Sequence, residues 1–383
     1  METSEFKGAF GKLVEGESEE HGKYLAFVPE KLPPKIEYNP QIVLALSKAD
    51  STLSKLSGAG LLLPNPDLLV IPYLKKEALS SSRIEGTRIS LSDYFLTEAK
   101  GIEKENIEAT EVGNYLKSMN YALKKIEKEP ISVELIKEMH KRLMKGVRGN
   151  ELIPGNFRPV QNWIGPKNTK IQDATFVPPP KEEVEKLINE LIEYLNKYDE
   201  MPLLIKCALM HYQFETIHPF CDGNGRIGRS LITLYLCKKN KISKPLLYAS
   251  DYFEKHRREY YEILLNTNKT GNFENWIKFF LEAIKVQSED ALERTIKIQR
   301  LREEYQVKTK NHKQAVNLLS VIDMLFMNPF VQIGQIASSL KITYPTAKKA
   351  VENLIKLKIL KPVGESERNK LFIAHEILDV VIV

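Results

Sequence analysis

The chain has 383 residues, 43% hydrophobic and 28% charged, an ordinary globular composition that excludes wholesale disorder and collagen-like repeats and, at roughly 150 residues per domain, predicts two or three domains. Lys plus Arg (56) exceed Asp plus Glu (50) by six, a mild excess that tolerates a nucleic-acid partner without requiring one. Cys207, Cys221 and Cys237 form neither a C-x-x-C pair nor an even set, no apolar run reaches spanning length and the first thirty residues lack a signal-peptide pattern, so a reducing cytoplasm with no membrane partner is the expectation.

Residues 1 to 40 are polar and broken by Pro29, Pro33, Pro34 and Pro40, which predicts an extended arm. Helical periodicity follows over Gln41 to Ser57 and Pro72 to Glu85, the second with Pro72 as its first helical residue and Gly86 as its stop. It recurs over Glu108 to Glu127, Ser132 to Met144, Lys181 to Asn196, Pro202 to Thr216, Arg226 to Lys239 and Asp251 to Asn266, with no internal repeat, the pattern of one irregular bundle. Between Gly155 and Pro180 two β-prone pieces, Arg158 to Ile164 and Ala174 to Val177, flank a Gly-Pro-Lys-Asn turn and predict a hairpin flap, residues 158–177.

From Asn275 to Lys313 the chain is amphipathic and strongly charged, as a connecting helix would be. Helices over Gln314 to Met327, Ile333 to Leu340 and Tyr344 to Leu357, then two short strands around GESERNK, make a winged helix-turn-helix order. Thr343 caps its second helix, and Lys348, Lys349 and Lys356 lie on the exposed side. Nine Lys/Arg against six Asp/Glu from Lys313 onward leave both DNA and protein open as its partners.

The run HPFCDGNGRIGR from His218 to Arg229 concentrates a base, a carboxylate, an amide, glycines and two arginines. A helix precedes it and another starts near Arg226, so the N–H groups of Gly223 to Arg226 emerge from a helix N-terminus as an anion site. Arg226 and Arg229, three apart on one face, suit successive phosphates. His218 is placed as a general base beside that cradle, and Asp222, otherwise a turn residue, as a Mg²⁺ ligand. Phe220 reads as an apolar anchor. Gly223, Gly225 and Gly228 also fit G-x-G-x-x-G, but the preceding residues are helical and no βαβ unit surrounds them, so a dinucleotide fold is rejected. No Gly-Lys-Ser/Thr ends the loop, and His211 and His218 are too far apart for a zinc helix.

This run resembles the Fic family signature H-P-F-x-D/E-G-N-G-R-x-x-R without a departure, and the likeness extends over roughly residues 60 to 285. The resemblance implies a mainly α, Fic-type helical bundle with a β-hairpin flap and a C-terminal winged helix. Its divisions are residues 1–110 with an inhibitory motif, a catalytic core 111–285, a connecting helix 286–313 and a winged helix 314–383. It implies transfer of AMP from ATP to a protein hydroxyl. His218 acts as base, Asp222 holds Mg²⁺, and Asn224 and the glycine amides, Gly223, Gly225 and Gly228, stabilise phosphate charge. Arg226 and Arg229 hold the β- and γ-phosphates. REYYEILLNTN, from Arg258 to Asn268, resembles the adenine-side segment and nominates Tyr260, Tyr261 and Asn268. The flap would align an unidentified target chain by strand addition, with self-modification expected and a homodimer as a candidate assembly.

SSSRIEG, ending at Gly86, matches the family's inhibitory pattern at Ser81, Glu85 and Gly86. A capping box from Ser82 to Glu85 also fits, but Gly86 marks a helix end, where a glutamate opposes the dipole and wants a cation. The resemblance names Arg229 as that partner, which makes this an autoinhibited enzyme. Removal of AMP by hydrolysis with the same residues, and a nucleotide-sensing DNA-binding regulator, are the alternatives. Every assigned residue precedes Asn275, so the C-terminal unit is expected to serve partner choice and not chemistry.

Overall fold

In the computed structural model, residues 3–18, 22–61, 65–147, 152–166, 168–364 and 370–382 are described. The extended arm expected at the N-terminus is instead an antiparallel hairpin, β1 (Gly11–Ser18) and β2 (Gly22–Pro29), with Gly11 opposite Pro29 and Ser18 opposite Gly22. The prolines carried the arm reading; the short β-prone run Tyr24 to Val28 before them decides the outcome. Ala26 packs with Ile171, Ala174 and Val177, Phe27 with Phe6 and Phe176, and the Phe27 N–H donates to the Val177 carbonyl at 2.9 Å. The hairpin therefore braces the flap. The flap itself carries none of the strands expected over Arg158 to Val177: one bridge pairs Ile164 with Phe176. Pro166, Pro178, Pro179 and Pro180 withhold ladder donors around it, and Lys167 of its turn lies outside the described residues.

The helices follow in order as α1 (Pro40–Leu61), α2 (Asp67–Ile84), α3 (Leu91–Lys100), α4 (Ile107–Ile126), α5 (Val133–Leu143), α6 (Val184–Asn196), α7 (Leu203–Ile217), α8 (Asn224–Lys238), α9 (Ser250–Lys255), α10 (Arg257–Thr270) and α11 (Glu274–Thr309). Two depart from expectation. Pro72 lies inside α2, because Asn65 already receives the Asp67 N–H at 3.2 Å and starts the helix earlier. The single helix expected over Asp251 to Asn266 is broken at His256 into α9 and α10. α3 was not anticipated, although its cap and stop are ordinary: Ser90 Oγ accepts from the Asp93 N–H at 3.0 Å and Gly101 is left-handed at φ 69°. α7 and α8 are buried nearly all round, α8 with Arg226 and Arg229 included, so they form the centre on which α1, α2, α4, α5, α6 and α11 pack.

After α11 come α12 (Ala315–Met327), β3 (Phe330–Gln332), α13 (Ile333–Leu340), α14 (Tyr344–Lys356), β4 (Lys361–Val363), β5 (Leu371–Ile373) and α15 (His375–Ile382), with the strands antiparallel in the order β3-β5-β4. Thr343 caps α14, Lys348, Lys349 and Lys356 are exposed on it, and residues 365–369 at the hairpin tip lie outside the described residues. β3 and α15 had no separate sequence reading. The boundary drawn between 285 and 286 falls inside α11, a single helix of 36 residues, and that between 110 and 111 inside α4. This C-terminal unit shares one continuous apolar core with the bundle. It also grips α2 and α3. Lys75 Nζ on α2 meets Glu98 Oε2 on α3 at 2.5 Å and donates to the Met327 carbonyl at 3.1 Å, while Asn328 Nδ2 donates to Glu98 at 2.7 Å and to Phe95 O at 3.0 Å.

Candidate active site

α7 stops at Ile217 because His218 turns left-handed, at φ 50°, and Pro219 cannot continue a helix. A non-glycine residue there costs about 1–2 kcal/mol, so the surroundings must hold it. Arg158 does so: its Nε donates to the His218 carbonyl at 3.0 Å, its own N–H to the Pro219 carbonyl at 2.9 Å, and its Nη2 to Pro179 O at 2.5 Å. The imidazole is set by a second contact, Nδ1 to the Glu215 carbonyl at 3.3 Å. A carbonyl only accepts, so Nδ1 carries the proton and Nε2 keeps its lone pair. Burial first, and then the charge of Arg158, push the His218 pKa down to about 4, leaving the ring neutral near pH 7 with its Nε2 lone pair unprotonated.

The loop to α8 is braced from several directions. Asn224 Oδ1 accepts from the Phe220 N–H at 2.8 Å and its Nδ2 donates back to Phe220 O at 2.8 Å. The amide expected to meet phosphate is thus bonded to the loop's own backbone through both its oxygen and its nitrogen. Phe220 is fully buried as an anchor, stacked on His140 at 3.8 Å. His140 Nδ1 accepts from the Gly155 N–H at 2.9 Å, so its Nε2 donates to the Asp222 carbonyl at 3.0 Å. Asn162 Nδ2 reaches Phe220 O at 3.1 Å. Arg158, His140 and Asn162 had no role in the sequence reading. They act on backbone from segments up to 82 residues away, and no spacing rule reports that.

Gly223, at φ 77°, caps α8, and the N–H groups of Asn224, Gly225 and Arg226 have no acceptor within the helix. With Arg229, Asn224 and Gly225 line a cavity of about 640 Å³, and the helix N-terminus favours negative charge there. His218, Asp222, Glu85, Thr216, Tyr261, Leu264, Leu265 and Asn268 share its wall with Trp163 to Pro166 and Phe176 of the flap. Three nominated residues fall elsewhere. Tyr260, one position from Tyr261, points into the core, fully buried with its hydroxyl 2.8 Å from His211 Nε2, because neighbours on a helix diverge by about 100°. Arg226 turns beneath Met144, 3.6 Å from its sulfur and from Asp222 Oδ1. Gly228 serves packing: a Cβ there would run into Glu215 Oε1 and stand 3.0 Å from the Phe214 ring.

Arg229, 1% exposed, does not stand free. Its Nη2 donates to Glu85 Oε1 at 2.8 Å and to Ser81 O at 2.9 Å, and its Nε to Ser81 Oγ at 3.0 Å. Glu85 follows the last residue of α2, and Gly86 at φ 103° turns the chain away. Burial pushes the Glu85 carboxyl up, but the charge and hydrogen bond of Arg229 outweigh it and hold it below its ordinary value. Gly225 is required by this contact, since a Cβ would meet Glu85 Oε1 and lie 2.6 Å from Arg229 Nη1. For a metal, Asp222 is the carboxylate at the α8 N-terminus, with its side chain 45% exposed. Among the described residues no three His, Cys, Asp or Glu gather to hold an ion unaided. A lone carboxylate suits Mg²⁺, which keeps waters and takes further oxygens from phosphates. No described helix is long and apolar enough to cross a membrane.

The pattern of the Fic/DOC family matches residues 130–236, and that of the Fic/DOC family N-terminal region matches residues 43–124. The chain is 28% identical over 173 residues to protein adenylyltransferase fic-1 of Caenorhabditis elegans, covering 44% of this chain and 31% of that protein. It is 30% identical over 209 residues to protein adenylyltransferase Fic of Nematostella vectensis, covering 52% and 44%. It thus spans less than half the length of these relatives. Among solved structures, a Fic family protein from Desulfovibrio desulfuricans superposes with a TM-score of 0.56 at 19% identity, covering 90% of this chain and 98% of that one. Fic-1 of C. elegans gives 0.52 at 23% identity over 68% and 75%. With the signature loop, its helices and both sequence patterns in agreement, the chain belongs to the Fic/DOC family.

Proposed function

We propose that this protein is an autoinhibited AMP transferase that moves AMP from ATP to a Ser, Thr or Tyr hydroxyl of a protein. The observation that carries the reading is that a neutral His218 and the free N-terminal N–H groups of α8 line one cavity while Glu85 occupies Arg229. In the reaction, His218 Nε2 takes the proton of the attacking hydroxyl and that oxygen bonds to the α-phosphorus. The bond from the α-phosphorus to the oxygen it shares with the β-phosphate breaks, and pyrophosphate leaves with the electron pair. The α8 N–H groups receive the phosphate charge, and Arg229, once released by Glu85, holds the far phosphate. Asp222 would hold Mg²⁺, which supplies charge neutralisation to the phosphates.

Tyr261 and Asn268 line the cavity and would meet the adenine. The flap is the edge on which a target segment, this chain's own included, would lie. The order α12 to β5 reads as a winged helix, with the lysines of α14 offered to DNA or to a protein partner, a second copy among them. Because Glu85 borders the cavity that holds His218, hydrolytic removal of AMP is the second reading. Incubation with α-labelled ATP and Mg²⁺ tests the first. Glu85→Gly should carry roughly tenfold to a hundredfold more label than wild type, the worth of a charged hydrogen bond; equal labelling sinks the proposal.

A further inference from the structure

The C-terminal unit docks on the bundle by some of its faces and leaves another bare. α12 packs on α2, β3 and α15 pack on α3, and Gln335 Nε2 on α13 donates to the Ala99 carbonyl at 2.9 Å. α14 packs on α12 and α13 of its own unit, and its far side is exposed. At about 100° per residue, Tyr344, Lys348, Glu352, Lys356 and Lys349 fall on one arc of about 140°, opposite the buried Ala347, Ala350 and Leu354. Every member of that arc is exposed, Tyr344 by 56%.

The chemistry of the arc selects its occupant. Between Asp323 and Glu352 the chain holds no acidic residue and three lysines, Lys341, Lys348 and Lys349. Lys341 stands exposed in the turn that enters α14, and the hairpin after the helix adds exposed Lys361 and Lys370. Among the described residues, no acid forms an ion pair with any of these lysines or with Lys356. α13, which precedes the turn, exposes Ser338 and Ser339 and carries no charge. The centre of a protein interface is poor in lysine and rich in apolar and aromatic side chains, and of that class this face offers Tyr344 and the adjoining Pro345. Unpaired lysines around an exposed helix suit a phosphate backbone. A helix enters the major groove of B-form DNA but not that of duplex RNA.

We propose that the exposed arc of α14 binds duplex DNA in the major groove, with Lys348, Lys349 and Lys356 meeting phosphates and Tyr344, at the start of the helix, meeting base edges. The proposal rests on the winged-helix reading above and is independent of AMP transfer. Glu352, the acid on the arc, opposes the phosphates. The experiment titrates the full chain into a fluorescent mixed-sequence duplex of about 30 base pairs, three helical turns, and reads anisotropy over a range of salt concentrations. Wild type should bind with a dissociation constant of about 1–100 μM near physiological salt, and log affinity should fall against log salt with a slope of about −3 to −5. Lys348→Ala, Lys349→Ala and Lys356→Ala combined should weaken binding at least about tenfold and flatten that slope by about 2 to 3. Glu352→Gln should tighten it about twofold. Lys48→Ala with Lys55→Ala, both exposed on α1, should change it by less than about twofold. Melting temperatures confirm that each variant is folded, and if the combined lysine variant is not, the wild-type salt slope and Glu352→Gln decide.

Absence of duplex binding even at about 50 mM salt, where such contacts are strong, overturns the proposal and leaves the winged helix with a protein as its partner. Binding that survives loss of the α14 lysines, or a loss equalled by the α1 pair, places DNA elsewhere on the molecule and removes the winged-helix reading of α14 with it. Equal affinity for a duplex RNA of the same length also overturns the proposal, because charge without groove shape would then account for the binding.

Discussion

α2 is held at two places by different means. At its C-terminal end, Arg229 reaches Ser81 and Glu85, and the Glu85 side chain is 34% exposed toward the cavity. Farther back, Lys75 is 6% exposed in its pair with Glu98, which Asn328 also satisfies. Glu77 is likewise enclosed, bonded by the Ser250 hydroxyl at 2.5 Å and the Tyr115 hydroxyl at 3.3 Å. A buried pair broken on one side leaves a charge without solvent or partner, whereas a carboxylate at a cavity wall can exchange Arg229 for a phosphate. The contrast teaches that α2 is a fixed platform. On the proposed function, release of inhibition is expected from motion of the Glu85 side chain and the Gly86 turn and not from departure of the helix, whose displacement would uncover Lys75 and Glu77 together.

If that contrast holds, chemistry answers to the exposed corner and stability to the buried grip. The largest effect should come from His218→Ala in the Glu85→Gly background: transfer falls at least about a hundredfold while ATP affinity, measured by direct titration, is kept. Persistent labelling would remove His218 from the base role. Next is the pH profile of Glu85→Gly. A base whose pKa is lowered in the folded protein is available above that value and is lost as pH falls through it. Labelling should therefore stay level from pH 8 down to about 5 and drop below; a decline beginning near pH 7 would show an ordinary histidine.

Ser81→Ala sharpens the corner itself. It removes one of the hydrogen bonds to Arg229 but leaves the Ser81 carbonyl and Glu85 in place, so wild-type labelling should rise only about threefold to tenfold. The smallest effect on activity is expected from Lys75→Met. Glu98 keeps Asn328 and is partly exposed, so unfolding free energy should fall by about 1–2 kcal/mol with the labelling ratio between Glu85→Gly and wild type unchanged. A rise in wild-type labelling would break the comparison, because it would make the grip of the C-terminal unit part of the inhibitory device.

The site was legible where its chemistry is contiguous. His218, Asp222, the α8 N-terminus and Arg229 fall within twelve residues, and a glycine-rich turn between two helical patterns leaves them one arrangement. The contact of Glu85 with Arg229 was also anticipated, though in two steps: a glutamate closing a helix asks only for a cation, and it was the family resemblance that named Arg229. The C-terminal unit was read in its order of helices but not in its seat: α3 and β3 are short, and the bonds from Lys75 and Asn328 join residues more than 200 positions apart.

By itself, then, the sequence determined the helical bundle, the glycine turn that opens α8 and the histidine placed beside it, because periodicity, capping and the glycine turn act over one or two helical turns. Only tertiary structure decided which of Tyr260 and Tyr261 meets the cavity, that Asn224 closes the loop, and that Arg226 turns beneath Met144. It also decided that Arg158 holds His218 in its left-handed turn and that the N-terminal residues form a hairpin against the flap. In each case the outcome depends on what lies across the gap from a residue, and local patterns carry no information about the other side.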